Sequence, residues 1–166
     1  TNRAKEAVAS YSAATKIDVK SPAAMYGLGV ALAASGQRDE AMRTLQKTAE
    51  LAPKDPAPYR AMGRVYLEAG EYDKALGAFE TGLARQPKFV PLMLDRADVL
   101  ARQNRVNDAL AQYAAAEKLA PNSAEVQLRK GDALQRAKRW NDADAAYQRA
   151  IALDAKNPMA YNNLAW

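Results

Sequence analysis

Two pairs of like-charged side chains stand at spacings that suit chemistry. Arg60 and Arg64 are one helical turn apart, so on a helix their guanidinium groups share a face and can hold an acidic peptide or a carboxylate through charge-assisted, bidentate hydrogen bonds. Asp95 and Asp98 also share a face, an arrangement suited to a paired-carboxylate acid or to a hard cation held by oxygen. Each pair has a plainer reading. Arg64 can be neutralised by Asp98 or Asp95 on a neighbouring helix. The aspartates have a flanking arginine on each side and no further oxygen ligands, which favours a salt-bridge lattice, so no metal or cofactor is expected. The chain has no Cys and no His, which removes disulfides, thiol nucleophiles, thiolate or imidazole metal sites and every histidine-dependent catalytic arrangement. An enzyme is not expected.

The wider composition narrows the partners. With 24 Lys and Arg against 19 Asp and Glu the net charge is +5, spread along the chain. The densest basic stretch, Arg129, Lys130, Arg136, Lys138 and Arg139, fans around more than one helical face, which reads as solvated surface and not as a nucleic-acid patch. The longest nearly apolar run, Gly27 to Gly36, is far short of the roughly 20 residues of a membrane span, so no direct membrane insertion is expected. The chain opens at Thr1 and shows no signal peptide; a native targeting segment was cut away or never existed. At 49% apolar residues it is too apolar for disorder.

The elements that must position these residues follow from a repeat. Gly63 is echoed at 34-residue steps by Gly29, Ala97, Gly131 and Ala165, Ala75 by Ala7, Ala41, Ala109 and Ala143, and Pro87 by Pro53 and Pro121. Such a period marks a solenoid, a stack of units none of which buries its apolar face alone. The chain divides into residues 1–21, the second helix of a truncated unit; four repeats, 22–55, 56–89, 90–123 and 124–157; and 158–166, the first helix of a further unit. Each repeat reads as two amphipathic helices. Ser21-Pro22 supplies an N-cap and a first-turn proline, Gly36 and Gly70 end first helices, and Asn104 replaces the turn glycine of the third repeat. Along 1–20 the stripe Ala4, Ala7, Val8, Tyr11, Ala14 and Ile17 recurs at helical spacing.

The small residues have a mechanical meaning. Glycine or alanine on the first helix and alanine on the second let the two axes approach to about 8–10 Å. The side chain four residues after that alanine, Tyr11, Leu45, Phe79, Tyr113 or Tyr147, then fills the groove beside the crossing.

Met25, Leu28, Gly29, Leu32, Ala41, Leu45 and Pro53, then Tyr59, Met62, Gly63, Tyr66, Ala75, Phe79 and Pro87, resemble the tetratricopeptide repeat, whose W-x2-L-G-x2-Y, A-x3-F and P pattern fits in register over essentially the whole chain. The resemblance implies an all-α fold, a right-handed superhelix of antiparallel helix pairs. Departures are Arg96 and Lys130 for the apolar seventh residue, Gln127 at the aromatic fourth place and Ala155 for proline, and they predict looser packing in the last two repeats. The closing PMAYNNLAW resembles repeat proteins of bacterial exopolysaccharide and exosortase-associated (PEP-CTERM type) export systems.

In that family first helices line a concave groove. Carried over by place, the groove presents Tyr26, Val30 and Ala33; Arg60, Arg64 and Glu68; Leu94, Asp95, Asp98 and Arg102; and Glu125, Arg129, Asp132 and Arg136, with Asn162, Asn163 and Trp166 beyond. The family's carboxylate clamp of Lys and Asn is not reproduced, since its places hold Tyr26, Val30, Ala61, Pro91 and Asp95. Most of the eight tyrosines fall on packing places, Tyr26 excepted, and Trp140 is expected in the seam between repeats. The resemblance therefore implies a non-enzymatic scaffold that binds a peptide or partner protein in its groove, in a bacterial envelope or polysaccharide-export assembly, with a periplasmic or exported location favoured over the cytoplasm. The alternative is a spacer or self-assembly segment of a longer array with no groove ligand. Apolar seams at the first helix and at Leu164, Ala165 and Trp166 predict end-to-end association at high concentration. Sedimentation should show mass rising with concentration, and a concentration-independent monomer would refute it.

Overall fold

The computed structural model describes residues 2–156 and 158–164. Among them are ten helices and no strand: α1 (Asn2–Ile17), α2 (Pro22–Ala34), α3 (Arg38–Leu51), α4 (Ala57–Glu68), α5 (Tyr72–Arg85), α6 (Val90–Arg102), α7 (Val106–Leu119), α8 (Ala124–Arg136), α9 (Trp140–Leu153) and α10 (Pro158–Leu164). The fold is all-α. Two compact units divide the chain, Thr1–Pro87 with α1 to α5 and Lys88–Trp166 with α6 to α10. Within the first, α2 packs on α3 and α4 on α5; within the second, α6 packs on α7 and α8 on α9. Three-residue turns within these pairs make the partners antiparallel. Ala165 and Trp166, expected in an apolar seam, lie outside the described residues, as does the side chain of Leu164.

Local chemistry sets the helix ends. Ser21 Oγ accepts the Ala24 N–H at 3.3 Å and Ser123 Oγ accepts the Val126 N–H at 3.4 Å, so two of the first helices have a side-chain cap. Every turn between the two helices of a repeat needs one residue in the left-handed region. Gly36 (φ 84°) and Gly70 (φ 74°) adopt it without a Cβ penalty, and Asn104 (φ 61°) is the tolerated substitute. The fourth turn uses Lys138 (φ 58°), a side chain poorly suited to that conformation.

The core is a series of small-on-large crossings. Ala41, Ala75 and Ala109 are fully buried and Ala143 nearly so, while Leu45, Phe79, Tyr113 and Tyr147 lie inside against the partner helix. A Cβ added at Gly63 would stand 2.2 Å from the Phe79 ring, one at Gly131 2.4 Å from the Tyr147 ring, and one at Gly29 2.7 Å from Leu45 Cδ2. Tyr11 differs from its expected role. It is 41% exposed and its ring lies over Gly27 of α2, because the helix it does pack on is the one that follows it. Ile17 is 89% exposed at the end of α1, where the apolar stripe has run past its partner. Trp140, expected in a seam, is 57% exposed; as the first residue of α9 it sits a full turn ahead of Ala143, where the buried stripe begins.

The looser packing expected of the last two repeats is absent from the third. On α6 Leu92, Met93, Leu94, Asp95, Ala97, Val99, Leu100 and Ala101 are all buried, so the third repeat is dense. In the fourth, Gln127 is buried in the aromatic position and its Nε2 has no hydrogen-bond partner.

Two glycine exchanges should have opposite signs in thermal unfolding. Gly63→Ala drives a methyl into an immobile ring and is expected to destabilise by about 1–3 kcal/mol. Lys138→Gly relieves the left-handed strain and is expected to stabilise by about 1 kcal/mol.

Candidate functional site

In the first unit, α2 and α4 lie side by side and present residues at three- and four-residue spacing to a common cavity. Tyr26, Val30, Ala33 and Ala34 come from α2, Arg60, Ala61, Arg64, Val65 and Glu68 from α4, and Leu45 of α3 also lines it. Its volume is about 240 Å³. All six of the groove residues expected from this half, Tyr26, Val30, Ala33, Arg60, Arg64 and Glu68, line it. The wall is apolar except for the Tyr26 phenol, two guanidinium groups and one carboxylate, a net charge of +1 from Arg60, Arg64 and Glu68. Arg64 is exposed and makes no ion pair or side-chain hydrogen bond within its unit among the described residues.

The other expected groove residues belong to the second unit. Asp98, Arg102, Arg129, Asp132 and Arg136 line a smaller cavity of about 90 Å³, and Asp95 is buried beside Leu94. Arg129 organises them: Nη1 donates to Asp95 Oδ1 and to Asp98 Oδ2, each at 2.9 Å, and Nη2 donates to Glu125 Oε1 at 2.6 Å. The two aspartates are thus a lattice around one guanidinium. Among the described residues no group of three or more His, Cys, Asp or Glu is placed to hold a metal ion.

Two tyrosine hydroxyls complete the lattice. Tyr113 donates to Asp98 Oδ1, and Tyr147 donates to Asp132 Oδ1 at 2.9 Å; Asp132 also accepts from Asn163 Nδ2 at 2.9 Å. Both tyrosines lie 15 residues after their aspartate. In the first unit the same separation joins Val30 to Leu45 and Arg64 to Phe79, and neither partner has a hydroxyl. The pairing is legible in the sequence as a Tyr-for-Phe exchange at the crossing, 15 residues after an aspartate. Among the other tyrosines, Tyr59 and Tyr66 are half-buried beneath cations, Arg85 at 5.8 Å from the first ring and Arg38 and Lys74 each at 5.7 Å from the second.

The protonation equilibria reflect this crowding. Burial pushes the Asp98 carboxyl above its ordinary value, against the Tyr113 hydrogen bond and the Arg129 charge, with Asp95 adding to the rise. Burial and the Asp98 charge push the Tyr113 phenol far up, and burial with Asp132 does the same to Tyr147. Burial alone would lower Arg129, but Asp98, Asp95 and Glu125 more than offset it and hold the guanidinium charged. Because Asp98 titrates above its unfolded-state value, its ionised form is the disfavoured one in the fold, and its contribution to stability improves as pH falls through that raised pKa toward the unfolded-state value.

No helix among the described residues is long and apolar enough to cross a membrane. Three family profiles described as Tetratricopeptide repeat match residues 1–65, 60–124 and 125–156. No curated protein matches the sequence. Among solved structures, the chain is similar to TTC0263, a thermophilic TPR protein in Thermus thermophilus, with 20% identity over 99% of this chain and 90% of that one and a TM-score of 0.86. It is similar to YrrB, a TPR protein with an unusual peptide-binding site, with 19% identity over 99% and 85% and a TM-score of 0.71. It is also similar to MamA from Desulfovibrio magneticus RS-1, with 23% identity over 86% and 81% and a TM-score of 0.70. At these identities the likeness shows the fold.

Arg129→Met strips one cation from three carboxylates. Stability is expected to fall by about 2–3 kcal/mol at neutral pH, below the ~3–5 kcal/mol of a fully buried pair because Arg129 keeps 23% of its side chain exposed. The deficit should shrink as pH is lowered through the Asp98 titration, and the Asp98 carboxyl should titrate higher still in an NMR experiment.

Proposed function

We propose that this chain, a member of the tetratricopeptide repeat family by matches running from residue 1 to residue 156, is a non-enzymatic scaffold that binds an acidic peptide segment of a partner protein in the cavity between α2 and α4. One observation carries this reading. At the ninth place of each repeat, Asp98 and Asp132 are tied down by Tyr113 and Tyr147, whereas Arg64, opposite Phe79, stands exposed at the cavity with no ion pair inside its unit. A guanidinium fork held on a rigid helix is pre-organised for a carboxylate. Arg60, one turn earlier, lines the same cavity. Tyr26 gives a flat, half-buried surface beside them, and Val30, Ala33 and Ala34 take an apolar neighbour of the acidic residue. The lack of His and Cys supports a binding role over a catalytic one.

That YrrB is described as having a peptide-binding site supports the choice of ligand class. The narrower setting, a bacterial envelope or polysaccharide-export assembly in a periplasmic or exported compartment, is part of the proposal and rests on the ending PMAYNNLAW alone; fractionation of source cells with recovery in the cytoplasm would overturn it.

The binding reading is tested by screening the chain on an array of acidic and neutral peptides and repeating the screen with Arg60→Glu and Arg64→Glu together. Acidic peptides are expected to bind and to lose at least about tenfold in affinity to the double variant, the cost of replacing charge-assisted bonds by repulsion. Binding that survives the double variant places the ligand elsewhere, and no binding at all favours a spacer without a groove ligand.

A further inference from the structure

The cavity between α2 and α4 has a counterpart inside the second unit. All eight residues that line the smaller cavity on α6, α7 and α8 stand two repeats after a residue that lines the larger one. The same frame is thus built twice with different side chains. Arg102 and Arg129 of the smaller cavity are Ala34 and Ala61 in the larger, and Asp98 and Asp132 are Val30 and Arg64. In the second unit Arg129 reaches across to Asp98, Nη1 to Oδ2 at 2.9 Å, so an ion pair fills the opening and about 90 Å³ is left. In the first unit an alanine and a valine hold those two places, and about 240 Å³ stands open.

The lining describes what belongs in that space. Its reachable wall is apolar: Val30 is 41% exposed, Ala34 is exposed, and Ala33 and Ala61 are half-buried, above a floor of Leu45 and Val65 that is itself covered. Water finds few hydrogen-bond partners against such a wall, and a cavity of about 150 Å³ lined by apolar side chains already accepts benzene. The rim differs from that of the second unit in sign. Exposed Arg64 stands at the place of Asp132, so a guanidinium replaces a carboxylate there. A guanidinium pairs with a carboxylate and also stacks on an aromatic face, which an aliphatic chain does not offer.

We infer that this cavity selects an aromatic side chain of the partner peptide, set next to its acidic residue, and that Ala61 determines the selection by leaving open the space that Arg129 takes in the second unit. The inference rests on the peptide-binding reading above and narrows its ligand. The carboxylate pairs with Arg64, and the ring lies against Val30, Ala33 and Ala61 beneath the same guanidinium. An aliphatic residue fills less of the space and gains nothing from the cation.

NMR titration of the whole chain with blocked tripeptides, N-acetylated and C-amidated, tests this, with the Val30 and Ala61 methyls as local reporters. The peptides are Glu-Phe-Glu, Glu-Leu-Glu, Glu-Ala-Glu and Gln-Phe-Gln. Exchange of Glu for Gln reads the acidic ligand, and exchange of Phe reads the aromatic pocket. Glu-Phe-Glu is expected to bind about tenfold more tightly than Glu-Ala-Glu and about threefold more tightly than Glu-Leu-Glu, with ring-current shifts at both reporters. Ala61→Leu, which refills the space without changing charge, should cut the preference for Phe over Ala to about twofold and leave the preference for Glu over Gln as it was. Ala34→Leu, at an exposed place on the same wall, gives the same readout if Ala61→Leu does not fold. Equal affinity for the Phe and Ala peptides, or for the Phe and Leu peptides, overturns the inference, and a retained preference for Glu over Gln then leaves acidic-peptide binding standing. A Phe preference that survives the folded variants, or that comes with silent methyl reporters, places the ring elsewhere and overturns it as well. A Phe preference at these reporters without any preference for Glu over Gln removes the acidic ligand and supports the aromatic pocket alone. No shift with any peptide overturns both.

Discussion

The constraint on which the rest depends is the close crossing of the two helices within each repeat. A glycine or alanine on one helix leaves room for one large side chain from the other, and the fit at Gly63 against Phe79 or Gly131 against Tyr147 leaves no space for a methyl group. Interiors packed at crystal-like density cannot absorb such a change by a small shift. The crossing therefore fixes the rotation of each helix about its own axis. Once rotation is fixed, so is the set of places that face a groove, which is why residues four and seven apart on α2 and α4 meet around one cavity.

The same crossing decides which groove residues are free to meet a ligand. The large side chain reaches past the small residue to the neighbouring position on the first helix. Where it ends in a hydroxyl, as in Tyr113 and Tyr147, it donates to an aspartate and ties it to the fold. Where it ends in a plain ring, as in Phe79, the neighbouring Arg64 keeps its bonding capacity. One oxygen atom on a packing residue thus converts a groove carboxylate into a structural one. Arg129 takes the conversion further by drawing Asp95, Asp98 and Glu125 onto one guanidinium. Such a cluster contributes more to a single arrangement than to net stability, since the cost of burying its charges offsets much of their attraction.

The sequence made the fold legible because its signals agree at every level. Period, small residues, caps and turn glycines all point to the same helices, and α3 and α5 begin and end where their periodicity and flanking Gly and Pro require. Legibility failed where a side chain's surroundings depend on the neighbouring helix. Trp140 and Ile17 are apolar and at helical spacing, yet each lies beyond the reach of its partner helix and faces solvent. Tyr11 packs on Gly27 and not beside a crossing of its own repeat. For the candidate site, carrying places over from the family collected the lining of one cavity but said nothing of state. That Arg64 stands exposed while Asp95 is buried follows from what lies behind each residue, a distinction that spacing on one helix does not contain.

Local rules are broken at two places in the fourth repeat, and they differ in kind. Lys138 takes a glycine's conformation at a turn, and nothing in its surroundings explains it; a single exchange to glycine satisfies the same geometry, so the strain is incidental to the site. Gln127 is different because its defect is buried. A buried amide donor without an acceptor sits where a methionine or tyrosine packs in the other repeats.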